Sequence, residues 1–462
     1  MKSATTVRFP HGATYEPPRA VRSPRQPRQP PVVPWPLWQR VLFRFFFVYL
    51  ILQAEPWRWF RSIPGVPVVL RYYAQLVDLA VRAANTSVFY VRPTLVPVNK
   101  SGDTSWAWAQ LCLYLTLAAI ACLVWSVFDR HRPTYERLAF WLRMILRYYV
   151  AAAALSYGII KLFLLQMPFP TLSQLATPLG DLLPMRFSWL FIGYSVPYQF
   201  FSGVMETTAG LLLLYRRTVT AGLLVATGAF LNVVMINLAY DVPVKLYSSH
   251  LLFASVFLLA LDSKRLVGLL VLNRPVPATT AYEPYFSSPW LRGGGIAVKL
   301  LLVYQFLVVP VHSGWQSYTF EHAPPRLGPF AVGVYTVKSY VINRDTVPAT
   351  SPDTLRWKDV IFDSRTAGSV NTSDQVFWQR YRRGYFRYRP DPANHTLAVW
   401  KTSTMPRDST FLFTMRYEQP DSNVIRLHTM IRGDSIHVEL VRTQRDFQLA
   451  ERQFHWLSEY NR

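Results

Sequence analysis

The segment that decides the fold is Trp106–Phe128, which reads WAWAQLCLYLTLAAIACLVWSVF. It contains no charged side chain, and the charged run Asp129–Arg132 follows it directly. A helix needs about 20 mostly apolar residues to cross a hydrocarbon core of about 30 Å. The segment therefore predicts a transmembrane helix that ends at a membrane surface.

Apolar segments of the same kind occupy most of residues 37–312. They predict an all-α polytopic membrane bundle of about seven transmembrane helices. Besides Trp106–Phe128, the predicted spans are Leu37–Ala54, Leu138–Leu165, Trp189–Tyr215, Thr218–Ala239, His250–Leu261 (with a start as early as Val244) and Ile296–Val311. A further segment, Val68–Tyr90, places apolar residues at helical intervals among charged ones, which is typical of an amphipathic helix at the membrane surface.

The hydrophobic pattern changes its period after residue 312. Apolar and polar residues alternate in several short runs, and turn signals such as Asn343–Asp345 and Arg432–Asp434 separate them. This pattern predicts an antiparallel all-β soluble domain at 313–462, folded as a small barrel or sandwich. The aromatic end, Phe447–Tyr460, is expected to cap that domain.

The net charge of +23 comes from 49 Lys and Arg against 26 Asp and Glu. The basic residues flank the apolar spans instead of clustering with aromatics on a soluble face, so no nucleic-acid partner is expected. They mark topology. The basic loops at 129–137, 216–217 and 264–292 and the Pro-rich basic tail at 1–36 indicate a disordered tail and an amino terminus in the cytoplasm. Seven crossings then place the β domain outside the cytoplasm.

The two cysteines, Cys112 and Cys122, both lie in one apolar span. The β domain has no cysteine, so a thiol–disulfide mechanism and a Cys-based zinc site are excluded there. Its histidines lack the spacing of metal ligands, and no metal site is predicted.

Ionisable residues inside a membrane are costly and therefore mark candidate sites. Glu206 lies in the middle of a predicted span and needs a cationic partner, for which Lys161 or Arg147 on the preceding span is the candidate. Tyr157 and Lys161 are four residues apart and share one helix face.

A second polar group occupies the segment between two spans, where Asn237, Asp241, Lys245 and His250 follow one another within one short stretch. A histidine with a carboxylate is suited to accept protons from a lipid-soluble donor such as a quinol. We therefore predict one polar pocket at the outer leaflet. Its catalytic residues are Glu206, His250 and Lys161, and its ligand-binding residues are Tyr157, Asp241, Lys245, Asn237 and Arg147.

Each of these residues also has a structural interpretation. Lys161 can extend its charged end to the interface, Arg147 can anchor topology, and Glu206 can belong to a structural ion pair. His250 on its own is more often structural than catalytic.

Two stretches resemble the DoxX-like family of membrane proteins. Tyr157-Gly158-Ile-Ile-Lys161 is similar to the family's Gly-x-x-Lys helix, and Glu206-Thr-Thr-Ala-Gly210 is similar to its Glu-x-x-x-Gly helix. The Asn237–His250 stretch and the closing Phe454-His455-Trp456 are similar to larger Bacteroidetes-type members. The resemblance covers about residues 140–262. It implies a bacterial inner-membrane bundle that is associated with a quinone-linked respiratory or sulfur-oxidising complex.

Three hypotheses on function follow. The first is a DoxX-like, quinone-linked redox subunit or partner, with quinone as its ligand and the bilayer and a redox complex as its partners. The second is a non-enzymatic anchor or assembly platform whose β domain binds a partner. The third is a membrane enzyme similar to the helical-bundle proteins related to vitamin-K-dependent carboxylase, which also join a helical membrane part to a β-rich domain.

Overall fold

The protein is described by a computed structural model over residues 34–98, 102–277, 288–321, 329–351, 356–364, 366–401 and 410–452. The predicted disordered tail at 1–36 lies almost wholly outside these residues, as does most of the predicted cap at Phe447–Tyr460. The α-helices of the membrane part are α1 Leu37–Ala54, α2 Val66–Ala84, α3 Ser105–Phe128, α4 Glu136–Leu162, α5 Leu172–Leu175, α6 Pro184–Tyr194, α7 Val196–Leu214, α8 Val219–Ala239, α9 Lys245–Ala260, α10 Ser263–Leu266, α11 Pro289–Val303 and α12 Val309–Glu321.

Within the described residues, five helices are long and apolar enough to cross a membrane: Leu37–Phe60, Ser105–Phe128, Glu136–Leu162, Arg216–Ala239 and Pro289–Glu321. The predicted helical part with apolar helices of membrane-spanning length is confirmed, whereas the predicted count of about seven spans is not. The apolar helix α9 is shorter than a full span. The helix α7 is 19 residues long and carries buried Gln199 and Glu206.

Two predicted spans have wrong boundaries. The predicted continuous span Trp189–Tyr215 is broken at Ser195, where Pro197 at the start of α7 prevents the α6 helix from continuing. The last predicted span, Ile296–Val311, instead runs from Pro289 to Glu321, because a π-helical turn at Tyr304–Val308 precedes Pro310 and accommodates it. The helix therefore continues past residue 312, where the β domain was predicted to begin.

The helices α4 and α7 run antiparallel and approach each other through glycines. A Cβ atom added to Gly158 of α4 would lie 2.6 Å from the backbone N of Thr207 on α7, and one added to Gly203 would lie 2.9 Å from the backbone N of Leu162. Small residues let helix backbones come close together in a membrane, where packing drives association. The pair forms the centre of the bundle.

The β domain is a closed antiparallel barrel. Its strands are β1 Gly333–Ile342, β2 Asp345–Thr346, β3 Asp359–Phe362, β4 Ala367–Val370, β5 Trp378–Arg380, β6 Arg383–Asp391, β7 Thr396–Lys401, β8 Thr410–Asp421, β9 Val424–Ile431 and β10 Asp434–Thr443. The ring runs β1-β3-β4-β6-β7-β8-β9-β10 and closes where β10 pairs with β1; β2 and β5 pair outside this path. Closure removes the free sheet edges.

Apolar side chains from alternate positions of the strands fill the barrel. Tyr335, Trp357, Phe362, Phe377 and Phe386 belong to one buried cluster. An antiparallel barrel or sandwich was predicted, and the structure shows the barrel. The predicted strands did not include β2, β4, β5 and β6. In β6 the exposed positions are arginines, and the inward residues Phe386 and Tyr388 give only a short alternating signal.

We expect Gly158→Leu to separate α4 from α7, because the added side chain has no room beside Thr207. Overpacking of this kind costs about 1–3 kcal/mol, and more where backbones touch. Thermal unfolding in detergent should show a lower midpoint for this variant.

Gly228→Leu is the matched control, since a Cβ at Gly228 meets nothing within 4 Å. Equal midpoints for the two variants would contradict the proposed role of the glycine contact.

Candidate functional site

A cavity of about 250 Å³ lies between α4, α6, α7, α8 and α9. Lys161 of α4 and Glu206 of α7 both line it, and their side chains form a buried ion pair. The two residues are only 6% and 2% exposed. Each follows a contact glycine by three residues, Gly158 for Lys161 and Gly203 for Glu206. Residues three apart lie on the same face of a helix, so the glycine contact and the ion pair lie on the same faces of α4 and α7.

A second polar pair also lines the cavity. Asn237 at the end of α8 donates a hydrogen bond from Nδ2 to Ser248 Oγ of α9 at 2.9 Å. Both residues are buried and line the cavity. The rings of Tyr157 and Tyr247 also line the cavity, and their centroids lie 6.2 Å apart. The lining of the cavity is thus mostly apolar, and the two polar pairs are among its few polar groups.

The helix α6 covers the cavity along one side. Its residues Met185, Trp189 and Ile192 line the space, whereas Phe191 is exposed on its other side. The break at Ser195 turns the chain from α6 into α7, and the Ser195 hydroxyl accepts the Tyr198 N–H to cap the new helix. This break between the two helices, which was not predicted, places α6 beside the cavity.

Four of the predicted site residues therefore come together at the cavity: Glu206, Lys161, Tyr157 and Asn237. Lys161, and not Arg147, is the partner of Glu206. Their catalytic and binding roles stay predictions.

His250 does not reach this cavity. Its Nε2 atom lies 2.5 Å from the Tyr49 hydroxyl of α1, and its Nδ1 atom lies 2.6 Å from the Leu246 carbonyl oxygen. Both ring nitrogens are therefore in contact: Nε2 joins α9 to α1, and Nδ1 contacts the backbone of α9 itself. The predicted single pocket that contains Glu206, Lys161 and His250 is not formed, because helix α9 turns His250 toward the other side.

Asp241, Lys245 and Arg147 also lie away from the cavity wall. Lys245 Nζ pairs with Asp241 Oδ1 at 2.7 Å, and Asp241 is exposed. Arg147 donates from Nε to the Leu213 carbonyl oxygen at 2.5 Å. These contacts hold a loop and a helix end. The sequence interpretation of Arg147 as a helix anchor is closer to its observed position than the ligand-binding one.

Several cavity residues were not predicted. Tyr247, Ser248, Trp189 and Ser202 line the space, but no charge or motif distinguishes them in the sequence. A signal was present only for Tyr247 and Ser248, which lie in the polar stretch Asn237–His250. Within the described residues, no group of three His, Cys, Asp or Glu side chains is arranged to hold a metal ion.

A second polar site joins the bundle to the barrel. Ser173 of α5 donates from its backbone N to Asp363 Oδ1 at 2.8 Å and from Oγ to Asp363 Oδ2 at 2.5 Å. Its hydroxyl also lies 2.6 Å from Ser369 Oγ, which accepts a bond from Arg383 Nε at 3.0 Å. A continuous chain of hydrogen bonds thus runs from a guanidinium of the barrel to a carboxylate of the barrel through a serine of the bundle.

Two further contacts support this joint. Arg382 pairs with Asp181 at 3.0 Å, and Arg186 of α6 donates from Nε to the Tyr381 hydroxyl at 2.9 Å. Arg186, which makes the second contact, belongs to α6, the short helix that covers the cavity. The barrel is therefore held against the end of the bundle at which the cavity lies.

Comparisons with known proteins give one short match. A stretch of 82 residues, 18% of the chain, is 34% identical to the uncharacterized protein YwoB of Bacillus subtilis (strain 168). That stretch is 53% of YwoB, so the chain spans about half the length of this curated relative. No protein-family model matches the chain. No solved structure matches it either.

We expect Ser173→Ala to weaken the joint, because Asp363 loses its hydroxyl donor and Ser369 loses its partner on the bundle. Breaking a buried hydrogen bond of this kind costs about 1–3 kcal/mol. Hydrogen exchange of the α5 and β4 amides should become faster. Ser373→Ala, at an exposed serine of the same domain, is the control and should leave the exchange rates of these amides unchanged. Faster exchange in both variants would show that loss of the joint is not the cause.

Asp363 also predicts a pH dependence. Burial raises the pKa of its carboxyl above the ordinary value, although hydrogen bonds from Ser173 and Thr171 and the charge of Arg383 partly oppose the rise. The folded state therefore holds this proton more tightly than the unfolded state, and the stability that the group contributes falls as the pH rises through the raised pKa.

The measurement is the difference in melting temperature between the wild type and Asp363→Asn, which keeps the shape without the charge. That difference should move against the wild type as the pH rises above about 4, the ordinary pKa of an aspartate carboxyl. A constant difference across this range would show that Asp363 does not titrate in the joint.

Proposed function

We propose that this chain is a membrane protein that binds a lipid-soluble ligand in the cavity between α4, α6, α7, α8 and α9. The observation that carries the proposal is the buried Lys161–Glu206 pair on the wall of a cavity of about 250 Å³. Charged groups at membrane depth are costly, and a pocket with apolar walls and few polar groups is the usual form of a small-molecule site.

The ligand class that fits best is a quinone or a related ring compound with an apolar tail. The resemblance of the Gly158-x-x-Lys161 and Glu206-x-x-x-Gly210 helices to DoxX-like proteins favours the same class. In this proposal the chain is a quinone-linked subunit or partner of a respiratory or sulfur-oxidising complex in a bacterial inner membrane. Glu206 and Lys161 would bind the polar head, with Tyr157 and Asn237 beside it.

The topology belongs to the same proposal. With α7 and α9 added to the five long apolar helices, the bundle crosses the membrane seven times. The antiparallel packing of α7 and α9 against their neighbours supports this count: α7 contacts α4 and α8, and Asn237 of α8 bonds to Ser248 of α9. An odd count places the barrel opposite the cytoplasmic amino terminus.

A cysteine at exposed Ser373 tests this topology, because impermeant maleimide should label it in intact spheroplasts. Labelling only after lysis would place the barrel in the cytoplasm. The native cysteines lie inside the span α3.

A non-enzymatic platform is the second candidate, and the joint at Ser173, Asp363 and Arg383 favours it. A barrel with a filled interior that is fixed to the bundle can present its outer surface to a partner. The two functions are compatible, since the cavity and the outer barrel surface are separate.

Ligand binding is tested by purifying the protein in mild detergent and identifying bound quinone or lipid by solvent extraction and mass spectrometry. Val233→Trp should remove the bound molecule, because Val233 lines the cavity. Leu231→Trp, at an exposed position two residues earlier, should retain it.

His250→Ala provides a further comparison. Since His250 contacts Tyr49 and does not line the cavity, its replacement should lower the melting temperature but leave ligand occupancy unchanged. Absence of any co-purified or added lipid-soluble ligand in the wild type would overturn the proposed function.

A further inference from the structure

The two carboxylate oxygens of Glu206 have different surroundings. Oε1 accepts the hydrogen bond from Lys161. Oε2 is buried and has no hydrogen-bond partner among the protein atoms of the described residues. The side chain is only 2% exposed and lines the cavity. The structure thus holds an unused buried acceptor at the cavity wall.

An ionised carboxylate can only accept hydrogen bonds. A buried acceptor that has lost water without gaining a donor is unfavourable, and the cost is larger when the acceptor is charged. No donor among the described residues bonds to Oε2: elsewhere on the cavity wall, Asn237 Nδ2 donates one of its two hydrogens to Ser248 Oγ, and the Ser248 hydroxyl donates to the Lys245 carbonyl oxygen. The missing donor is therefore expected from the molecule that fills the cavity.

We infer that the ligand is an apolar molecule whose polar head carries a hydroxyl or amine, and that this group donates a hydrogen bond to Glu206 Oε2. The inference rests on the proposed function and narrows its ligand class. Phenols and hydroquinols have the required donor. Oxidised quinones, ethers and esters have only acceptors, which face the Glu206 oxygen unfavourably.

The size of the cavity agrees with a head group of this kind. Pockets for whole drug-sized ligands have volumes of about 300–1,000 Å³. The observed space of about 250 Å³ is slightly smaller. A single substituted ring fits, while an apolar tail would extend toward the lipid past the exposed residues of α6.

A pair of ligands that differ only in the donor tests the inference without any redox step. Binding of 4-decylphenol and of its methyl ether, 4-decylanisole, is measured with the full chain in detergent, by the fluorescence of Trp189 at the cavity wall against a Trp189→Phe control. We expect the phenol to bind at least about ten-fold more tightly, as one charge-assisted hydrogen bond provides.

Glu206→Gln should reverse this preference. Lys161 can only donate, so it holds the amide oxygen of the new side chain and leaves the NH₂ group facing the cavity. The ether should then bind at least as tightly as the phenol. A variant with the wild-type preference would show that Glu206 Oε2 does not receive the donor.

The outcomes separate the two proposals. Equal affinities of the wild type for phenol and ether would overturn the donor inference, because water would then satisfy Oε2, while the ligand-binding cavity would stand. Failure of both compounds to bind, together with the absence of any co-purified ligand, would overturn the proposed function itself. If Glu206→Gln does not fold, the comparison of phenol and ether binding to the wild type is sufficient to decide.

Discussion

The central constraint on the bundle is that Lys161 and Glu206 must meet. A single charge at this depth has neither water nor a screening solvent, so each of the two residues depends on the other. They meet only because Gly158 and Gly203 allow the α4 and α7 backbones to touch. The remaining helices pack around this pair, and the cavity is the space that they leave open beside it.

Local sequence signals identified the long helices and most of the long strands, but not the short strands or the helix breaks. Apolar length predicted the long helices, and alternation predicted an antiparallel β domain. The break at Ser195 and the extension to Glu321 escaped prediction because hydropathy averages over a window and does not register one proline. Pro197 ends one helix, whereas Pro310 is accommodated by a π turn; the sequence around them does not distinguish these outcomes.

The candidate site was predicted in part for a similar reason. Helical spacing correctly put Tyr157 and Lys161 on one face, and the mid-span carboxylate identified Glu206. The rotation of α9, which decides where His250 points, depends on Tyr49, 201 residues away. The joint depends on Ser173 and Asp363, which are 190 residues apart. Contacts across such separations leave no periodic pattern that a single sequence reveals.

The short helix α6 has two occupied faces. Met185 and Trp189 border the cavity, while the neighbouring Arg186 holds the barrel through the Tyr381 hydroxyl. A rigid element of this length transmits displacement between its faces. If a ligand in the cavity shifts α6, the contact between Arg186 and the barrel changes with it. By thermodynamic reciprocity, a partner that binds the barrel and shifts α6 then changes the affinity of the cavity for its ligand by the same factor. The eleven residues of α6 thus connect the cavity wall directly to the barrel.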